Sequence, residues 1–296
     1  MPSHAFRFVL LAALSAISVR AQPASATFRA GLLDSWSIGY SYSSNADLTR
    51  NGPTGDVAVN TFNISTSSRS PISKESLFVY GANFTNYELS SSPGTPLPDR
   101  LSEASLNLGV INRFSPAWAV SAFARPGFYG DFTRLSDSFN VPVLALANYA
   151  RTQNLVWSFG LRVDAFSETP VLPVAGVRWQ FAPAWTFNLG FPQAGFVFKA
   201  SPTSIWRAGV SFQGGSFRIS DNLGTPAPGV KRLANTLMDY REVRAGIGAD
   251  FTLPRGFSLN LDAGIVTDRQ FDYYDRDYGL NGDPAAYGAI SLSAKF

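Results

Sequence analysis

The residues that could do chemistry in this chain are carboxylates, arginines and hydroxyls, because histidine and cysteine are almost absent. Among 296 residues there is one histidine and no cysteine. The histidine is His4, so residues 5–296 cannot form Ser–His, Cys–His or Asp–His catalytic pairs or His-ligated or thiolate-ligated metal sites. No other constellation of catalytic type stands out. We therefore expect no enzyme, no cofactor and no metal site.

Eight charged residues fall on the polar faces of segments whose opposite faces are apolar. If these segments are strands of a closed barrel, the charges line its lumen and form a constriction that screens small solutes. Because the positive and negative charges nearly balance, the alternative is a salt-bridged plug without an open path. The eight residues are Arg162, Asp164, Arg178, Arg207, Glu242, Arg244, Asp250 and Asp262.

Aspartates are concentrated in the segment 268–283, which we predict to be a loop. The spacing of Asp275 and Asp277 is like that of a calcium-binding loop, but the glycine and distal glutamate of such a loop are missing. Ala286 stands at the glutamate position, and two arginines within the segment offset part of its charge. We expect a solvated loop at the mouth of the barrel, with a cation site as the alternative.

Strict alternation of apolar and polar residues predicts β-strands along most of the chain. Every second residue from Leu155 to Val163 is Leu, Trp, Phe or Val, and the segment 284–296 alternates in the same way. Apolar residues make up 45% of the chain and charged residues only 15%, yet the mean hydropathy is +0.01. This composition is typical of a sheet with lipid on one face. We predict an all-β fold, a single antiparallel up-and-down transmembrane β-barrel of about fourteen strands, with twelve as the alternative count.

The predicted connections alternate between short and long, as in barrels with short periplasmic turns and longer extracellular loops. An exception is the tight link at 191–193, whose position in the pattern calls for a long loop. The pair Gly214–Gly215 predicts a β-bulge. Short turns are expected at 114–117, 150–153, 182–184, 200–203 and 253–256, and the long loops include 45–56, 90–100, 125–140 and 222–238.

Tryptophan provides a second indication, because its ring prefers the level of lipid headgroups. Five of the six tryptophans lie close to predicted short turns, and the sixth lies near the start of the first strand. We expect them to form one interface girdle together with the terminal aromatic residue, and other aromatic residues to form the opposite girdle. The first girdle comprises Trp36, Trp118, Trp157, Trp179, Trp185, Trp206 and Phe296, and the second Tyr42, Tyr87, Phe128, Phe217, Tyr240, Tyr273, Tyr274 and Tyr287.

The first residues have the pattern of a secretory signal. A basic residue, a short apolar stretch and small residues before Gln22 predict a signal peptide at 1–21 and a single barrel domain at 22–296. Cleavage there would lower the formal net charge from +3 to +1, and no Lys/Arg-rich run supports nucleic-acid binding. We expect the bacterial outer membrane as location, and as partners its lipids and, through the closing strand, the barrel-insertion machinery.

The second half of the chain resembles a family of bacterial outer-membrane barrels, the domain of unknown function 6268 family. The resemblance rests on Pro183–Pro192, on Tyr240–Gly248 and on the closing strand, and it covers about residues 170–296. It implies the barrel architecture and transfers no catalytic residue. The expected function is a passive pore or channel for small solutes. The alternatives are a structural or ligand-binding barrel with a closed lumen and a secreted soluble β-sandwich.

Overall fold

The computed structural model describes residues 33–296, so the predicted signal peptide lies outside the described residues. Seventeen strand segments and three single 3-10 turns account for its regular structure. Among residues 33–296 there is no helix with the length and apolar character that a membrane-crossing helix needs. The strands are β1 Ser35–Thr49, β2 Pro53–Pro71, β3 Ser76–Ser91, β4 Arg100–Arg113, β5 Trp118–Ala124, β6 Gly127–Gly130, β7 Phe139–Asn140, β8 Val143–Thr152, β9 Leu155–Val163, β10 Val171–Ala182, β11 Trp185–Leu189, β12 Gln193–Lys199, β13 Ser204–Ile219, β14 Thr236–Thr252, β15 Phe257–Tyr273, β16 Tyr278–Gly282 and β17 Ala285–Lys295.

The strands form one closed antiparallel sheet. Each pairs with its neighbours along the chain, and β1 pairs with β17 from Ser35↔Lys295 to Ser43↔Tyr287, which closes the ring. In three places two short segments lie end to end and together make one strand of the barrel wall, here called a stave. These pairs of segments are β5 with β6, β7 with β8, and β16 with β17. The result is a barrel of fourteen staves, which confirms the predicted fold class and the higher of the two strand counts.

The two ends of the barrel differ. At the end where Ser35 pairs with Lys295, here called the near end, every connection between staves is short. At the far end the connections include 92–99, 131–138, 164–170 and 220–235. The predicted asymmetry of the loops is therefore present at these four connections. The far-end connections at 50–52, 190–192 and 274–277 are short, and of these only the one at 190–192 was predicted to be short.

The outer surface around the near half carries a belt of exposed apolar side chains. Leu161 is 50% exposed, Leu106 is 53% exposed and Ile247 is 62% exposed. These residues alternate with inward residues that are mostly small or polar, so each strand has one apolar and one polar face. A soluble monomer rarely exposes an apolar surface of this extent.

Toward the far end the polarity of the two faces is reversed. On β1 the inward residues change from Ser37 and Ser41 to the buried Leu48, whereas the outward residues change from Tyr42 to Asp47. A register shift between Ser43 and Ala46 accompanies this change on β1. The strands that reach this far are long. For example, β2 has 19 residues, whereas about ten suffice to cross a bilayer. The far halves of these strands therefore have apolar residues inside and polar residues outside, as in a soluble protein.

These far halves form a smaller closed ring, here called the cap. It uses nine strands, β13, β14, β15, β16, β1, β2, β3, β4 and β6, and is closed by a parallel pairing of Arg218 in β13 with Gly130 in β6. A meander of alternating direction with an odd number of strands can close only through one parallel pair. The interior of the cap is a hydrophobic core of Leu48, Val57, Val59, Tyr87, Leu89, Leu97, Leu101, Tyr129, Phe217, Ile219, Leu233, Met238, Tyr240, Phe271, Tyr273, Tyr278 and Leu280.

The cap overturns three expectations. Five residues of the expected second girdle face inward: Tyr87, Phe217, Tyr240 and Tyr273 are buried in the cap core, and Tyr287 lines the near half of the lumen beneath Arg244. The segments 45–56 and 268–283 are largely strand, because β1, β2, β15 and β16 extend through them. There is also no bulge at Gly214–Gly215, since β13 and β14 pair without interruption.

Gly214 has instead a packing role. It has φ +128°, and a Cβ there would overlap the carbonyl oxygen of Tyr240. The glycine therefore lets β13 pass close to β14 at the point where it leaves the fourteen-stave wall and enters the cap.

Candidate functional site

The near half of the lumen is a polar chamber, here called the vestibule. Its volume is about 950 Å³, and its lining comes from the inward faces of β1–β5, β11–β15 and β17. Ser37, Asn63, Asn188 and Ser291 are among its hydroxyl and amide residues. These are the inward positions of strands whose outward positions carry the apolar belt, so the alternation of each strand places them here.

A group of three charges lies on the vestibule wall. Arg207 of β13 reaches Asp250 of β14, with Nε 3.3 Å from Oδ2, and Asp262 of β15, with Nη2 3.1 Å from Oδ1. The close approach is possible because Gly248 stands between them, where a Cβ would collide with the Asp262 carboxylate. All three are residues that the sequence predicted to face the lumen, and this arrangement places one positive charge against two negative ones.

A second charge group separates the vestibule from the cap core. Glu242 binds two arginines, with Oε2 2.6 Å from Arg244 Nη2 and Oε1 2.8 Å from Arg269 Nε. Arg244 also donates to Ser43 Oγ at 3.0 Å and lies over the ring of Tyr287. Glu242 and Arg269 are fully buried, so they seal the lumen and do not line an open path.

Arg269 was not among the predicted lumen charges. The β14–β15 register shifts between Val243 and Arg244, which turns Arg269 inward although the uninterrupted alternation of β15 would turn it outward. Its Nη1 donates to the carbonyl oxygen of Val57 at 2.8 Å. A second missed pair is Arg125 with Glu103, which also lines the vestibule. No sequence signal marks the pairing of Arg125 with Glu103, because Arg125 lies between two strand segments.

A third group, here called the clasp, joins the rest of the wall to the outside of the cap. Arg162 forms an ion pair with Asp164, and Asn140 Nδ2 donates to Asp164 Oδ1 at 2.7 Å. The Glu168 backbone N–H donates to Asp239 Oδ2 at 3.1 Å. Burial raises the pKa of Asp239 to about 7. Arg162 and Asp164 thus face inward as predicted, but both are buried in this contact.

The barrel wall is lower on one side. The short hairpin of β11 and β12 ends opposite Val177 of β10 and opposite Ser211 of β13. Beyond it, residues 171–176 of β10 have a strand neighbour, β9, on one side only, and residues 213–217 of β13 have only β14. We call the opening between these two edges, above the turn 190–192 and below the clasp, the window. Arg178, the last of the eight predicted charges, lies on β10 just below it, opposite Asn188.

The six tryptophans all lie within the near-end portions of their strands on the outward face. Trp118 pairs with Tyr149, which pairs in turn with Trp157, and Trp185 pairs with Phe198, which pairs with Trp206. Phe296 follows the last strand and is 78% exposed. The predicted interface residues therefore share one rim of the barrel.

The aspartates of 268–283 do not converge. Asp268 and Asp272 lie on the outward face of β15, and Asp275 and Asp277 lie in the following turn. Within residues 33–296 no group of three or more His, Cys, Asp or Glu side chains is arranged to hold a metal ion.

Comparisons with known proteins give one family and a set of similar folds. Residues 58–279 match the model of the family described as Domain of unknown function (DUF6268). No curated protein matches the chain. An outer membrane channel from Pseudomonas putida F1 is 10% identical with a TM-score of 0.49, over 90% of this chain and 96% of the other.

Two further solved structures are similar at the same level. A FadL homologue from Pseudomonas aeruginosa is 12% identical with a TM-score of 0.45, over 89% of this chain and 90% of the other. The toluene transporter TodX of Pseudomonas putida is 9% identical with a TM-score of 0.41, over 90% of both chains.

Proposed function

Because this chain belongs to the family described as Domain of unknown function (DUF6268), whose name gives no activity, we propose a function from the geometry of the barrel. The proposed function is that of a bacterial outer-membrane channel that passes small solutes passively through the vestibule. It has no catalytic step. The residues that carry it are the polar lining of the vestibule and the charge group around Arg207.

The apolar belt and the tryptophans support the membrane location. Side chains such as Leu161 and Ile247 expose about half of their surface outward, which is favourable only in lipid. The tryptophans would lie at the periplasmic interface, because short turns and both ends of the described chain are on that side. The cap would then project outside the cell. The proposed partners are outer-membrane lipids and, through β17 and Phe296, the insertion machinery.

The membrane location is tested by heat-modifiable migration. A folded outer-membrane barrel should run faster on a detergent gel before boiling than after it, because the closed sheet binds less detergent. Migration that is the same before and after boiling, together with solubility without detergent, would contradict the location.

The vestibule is the observation that carries the channel. At about 950 Å³ it has room for roughly thirty water molecules at the volume of liquid water. A barrel built only for structure would fill this space with side chains, as eight-stranded barrels do. The vestibule's polar lining also lets a hydrated solute enter without losing its hydrogen bonds.

The cap argues against a straight pore along the barrel axis. Above Arg244 the lumen is filled by Glu242, Arg269 and the hydrophobic core. This favours a second candidate, a ligand-binding barrel with a closed lumen. Planar-bilayer recording from pure refolded protein separates the two. Discrete openings of small conductance support the channel, whereas a silent bilayer containing correctly folded barrel supports the closed one.

A further inference from the structure

We propose that the window is a lateral passage through which small amphipathic molecules move between the outer leaflet and the vestibule. The inference deepens the proposed function. It rests on that function for the assumption that solutes move through the barrel. It rests on the structure for the opening, for the continuity with the vestibule and for the chemistry of the path.

The opening follows from the strand register. β10 and β13 are neighbours of the hairpin β11–β12, so beyond its turn two strands are missing between them. With a strand spacing of about 4.8 Å, the two edges are roughly 14 Å apart at the base of the window. The clasp then joins the wall to the cap above, where Leu144 and Arg162 line one small cavity together with Gly215 and Ser216. The window is therefore a bounded hole and not an open seam.

The window lies at the level of the apolar belt. Val171 at its edge is 54% exposed on the outward face, and the outward residues of β10 below it, as far as Phe181, are also mostly apolar. A strand edge that faces hydrocarbon leaves backbone N–H and C=O groups without partners, which is strongly unfavourable. Irregular or unpaired backbone at membrane depth is tolerated where it lines a water-filled cavity. We infer that water from the vestibule hydrates these edges.

The vestibule reaches the window. Its lining includes Gln193, at the far tip of the short hairpin, and Gln213 and Gly214 on the β13 edge. These residues form the base and one side of the window. A solute in the vestibule therefore meets the opening without passing the buried Glu242 and the cap core.

The inner wall beside the window is apolar, in contrast to the vestibule. Leu146, Gly160 and Val174 form one inward row across β8, β9 and β10. In the next row Leu144 and Leu172 flank Arg162, whose charge is paired with Asp164. The lower inward residues of the same strands are polar, as Asn148 and Ser158 show. A path with an apolar wall above a polar chamber suits a molecule with an apolar body and one polar group.

The first experiment measures whether the edge is hydrated. The protein has no cysteine, so each variant carries a single thiol. Ala175→Cys lies on the outward face at the window edge, and Ala147→Cys is its matched control, because both residues pair with Phe159 from opposite sides of β9. Ala147 is paired on both sides, with β5 and with β9. A membrane-impermeant sulfonatoethyl methanethiosulfonate is added to barrels in phosphatidylcholine liposomes.

We expect Ala175→Cys to react about tenfold faster than Ala147→Cys, because only its surroundings contain water. Equal, slow reaction at both positions would show that lipid seals the edge and would overturn the proposal. Should either variant fail to fold, Pro173→Cys and Ala145→Cys form a second matched pair across Leu161.

The second experiment tests the solute class, with octan-1-ol as the probe. Val174→Cys reports on the apolar inner wall, and Ser291→Cys reports on the polar vestibule. Octan-1-ol should slow thiol reaction at Val174→Cys about threefold and leave Ser291→Cys unchanged, because its alkyl chain occupies the apolar rows. Protection at neither position, or at both equally, would overturn the class of solute. Thiol reactivity needs no ion current, so a bilayer that stays silent refutes the channel while leaving the window measurable.

Discussion

At the scale of single residues, the barrel depends on charges that are buried together. Glu242 accepts hydrogen bonds from Arg244 and Arg269 at the boundary between the vestibule and the cap core. A carboxylate between two guanidinium groups offsets the cost of burying all three, and Arg244 and Arg269 also donate to Ser43 and to the carbonyl of Val57, respectively. Removing the carboxylate leaves both arginines buried without a counter-charge.

Glu242→Gln should therefore destabilise the barrel by about 3–5 kcal/mol, since two buried arginines lose their carboxylate. The free energy of unfolding is measured by urea titration in detergent, with tryptophan fluorescence as the signal. Asp268→Asn is the control: its ion pair with Arg241 is partly exposed and should be worth about 0–1 kcal/mol. Similar small losses in both variants would contradict the role of Glu242.

Asp239 predicts a pH dependence of the clasp. Burial raises its pKa from 3.8 to about 7, so the folded protein keeps this proton at pH values where the unfolded chain has released it. Its contribution to stability is therefore present below about pH 4 and is lost as the pH rises to about 7. The wild type should lose stability between about pH 4 and pH 7, and Asp239→Asn should lose less, whereas the exposed cap variant Glu88→Gln should follow the wild type. Parallel curves for all three proteins would be the contrary result.

At the scale of elements, the reversal of polarity within single strands is the feature that organises the cap. On β4 the buried Leu101 and the exposed Leu106 lie five residues apart on opposite faces, one in the cap core and one in the apolar belt. The same residue type therefore meets two environments in one strand. Hydrophobic burial stabilises the cap, whereas lipid contact would stabilise the belt at the proposed membrane location.

Leu101→Ala should cost about 2–5 kcal/mol, because it leaves a cavity in a packed core. Leu106→Ala should cost about 1 kcal/mol or less, because lipid or detergent fills the space. Urea unfolding of the two variants in the same detergent gives the comparison. Equal losses would mean that the cap interior is not dry.

The sequence carries the strands and their faces but not this reversal. Alternation across Leu155–Val163 is sufficient to predict a strand and its outward apolar face, and the headgroup preference of tryptophan is sufficient to predict that the tryptophans share one rim. Tyr240 and Tyr273 also lie in segments where apolar and polar residues alternate. Alternation alone does not show whether the apolar face points into the barrel or out of it. The register shifts at Ser43 and Val243 then exchange the faces at positions that no local residue pattern marks. For the same reason the acidic run around Asp272 was predicted to be a loop.

At the scale of the molecule, seven of the eight charges that the sequence placed in one lumen belong to three separate places, and Arg178 lies apart from them below the window. The Arg207 group lies on the vestibule wall, the Glu242 group separates the vestibule from the cap core, and the Arg162–Asp164 pair lies in the clasp. Their separation depends on which strands close the cap, and that is a pairing between residues about ninety positions apart, as Ser220 and Asp131 show. Contacts between residues so far apart in sequence cannot be predicted from the local alternation of apolar and polar residues.

Because one parallel pair joins β6 to β13, the number of strands in the barrel wall does not depend on the number of strands in the cap. Five staves lie between those two strands, and none of them contributes a strand to the smaller ring. Excising one hairpin from that arc, residues 185–199, conserves the alternation of direction and leaves a twelve-stave barrel. Such a shortened protein should keep the buried tyrosine signature in near-ultraviolet circular dichroism while losing pore volume. Loss of that signature would show that the barrel wall and the cap fold as one unit. The barrel wall could therefore gain or lose strands one hairpin at a time without a change in the cap.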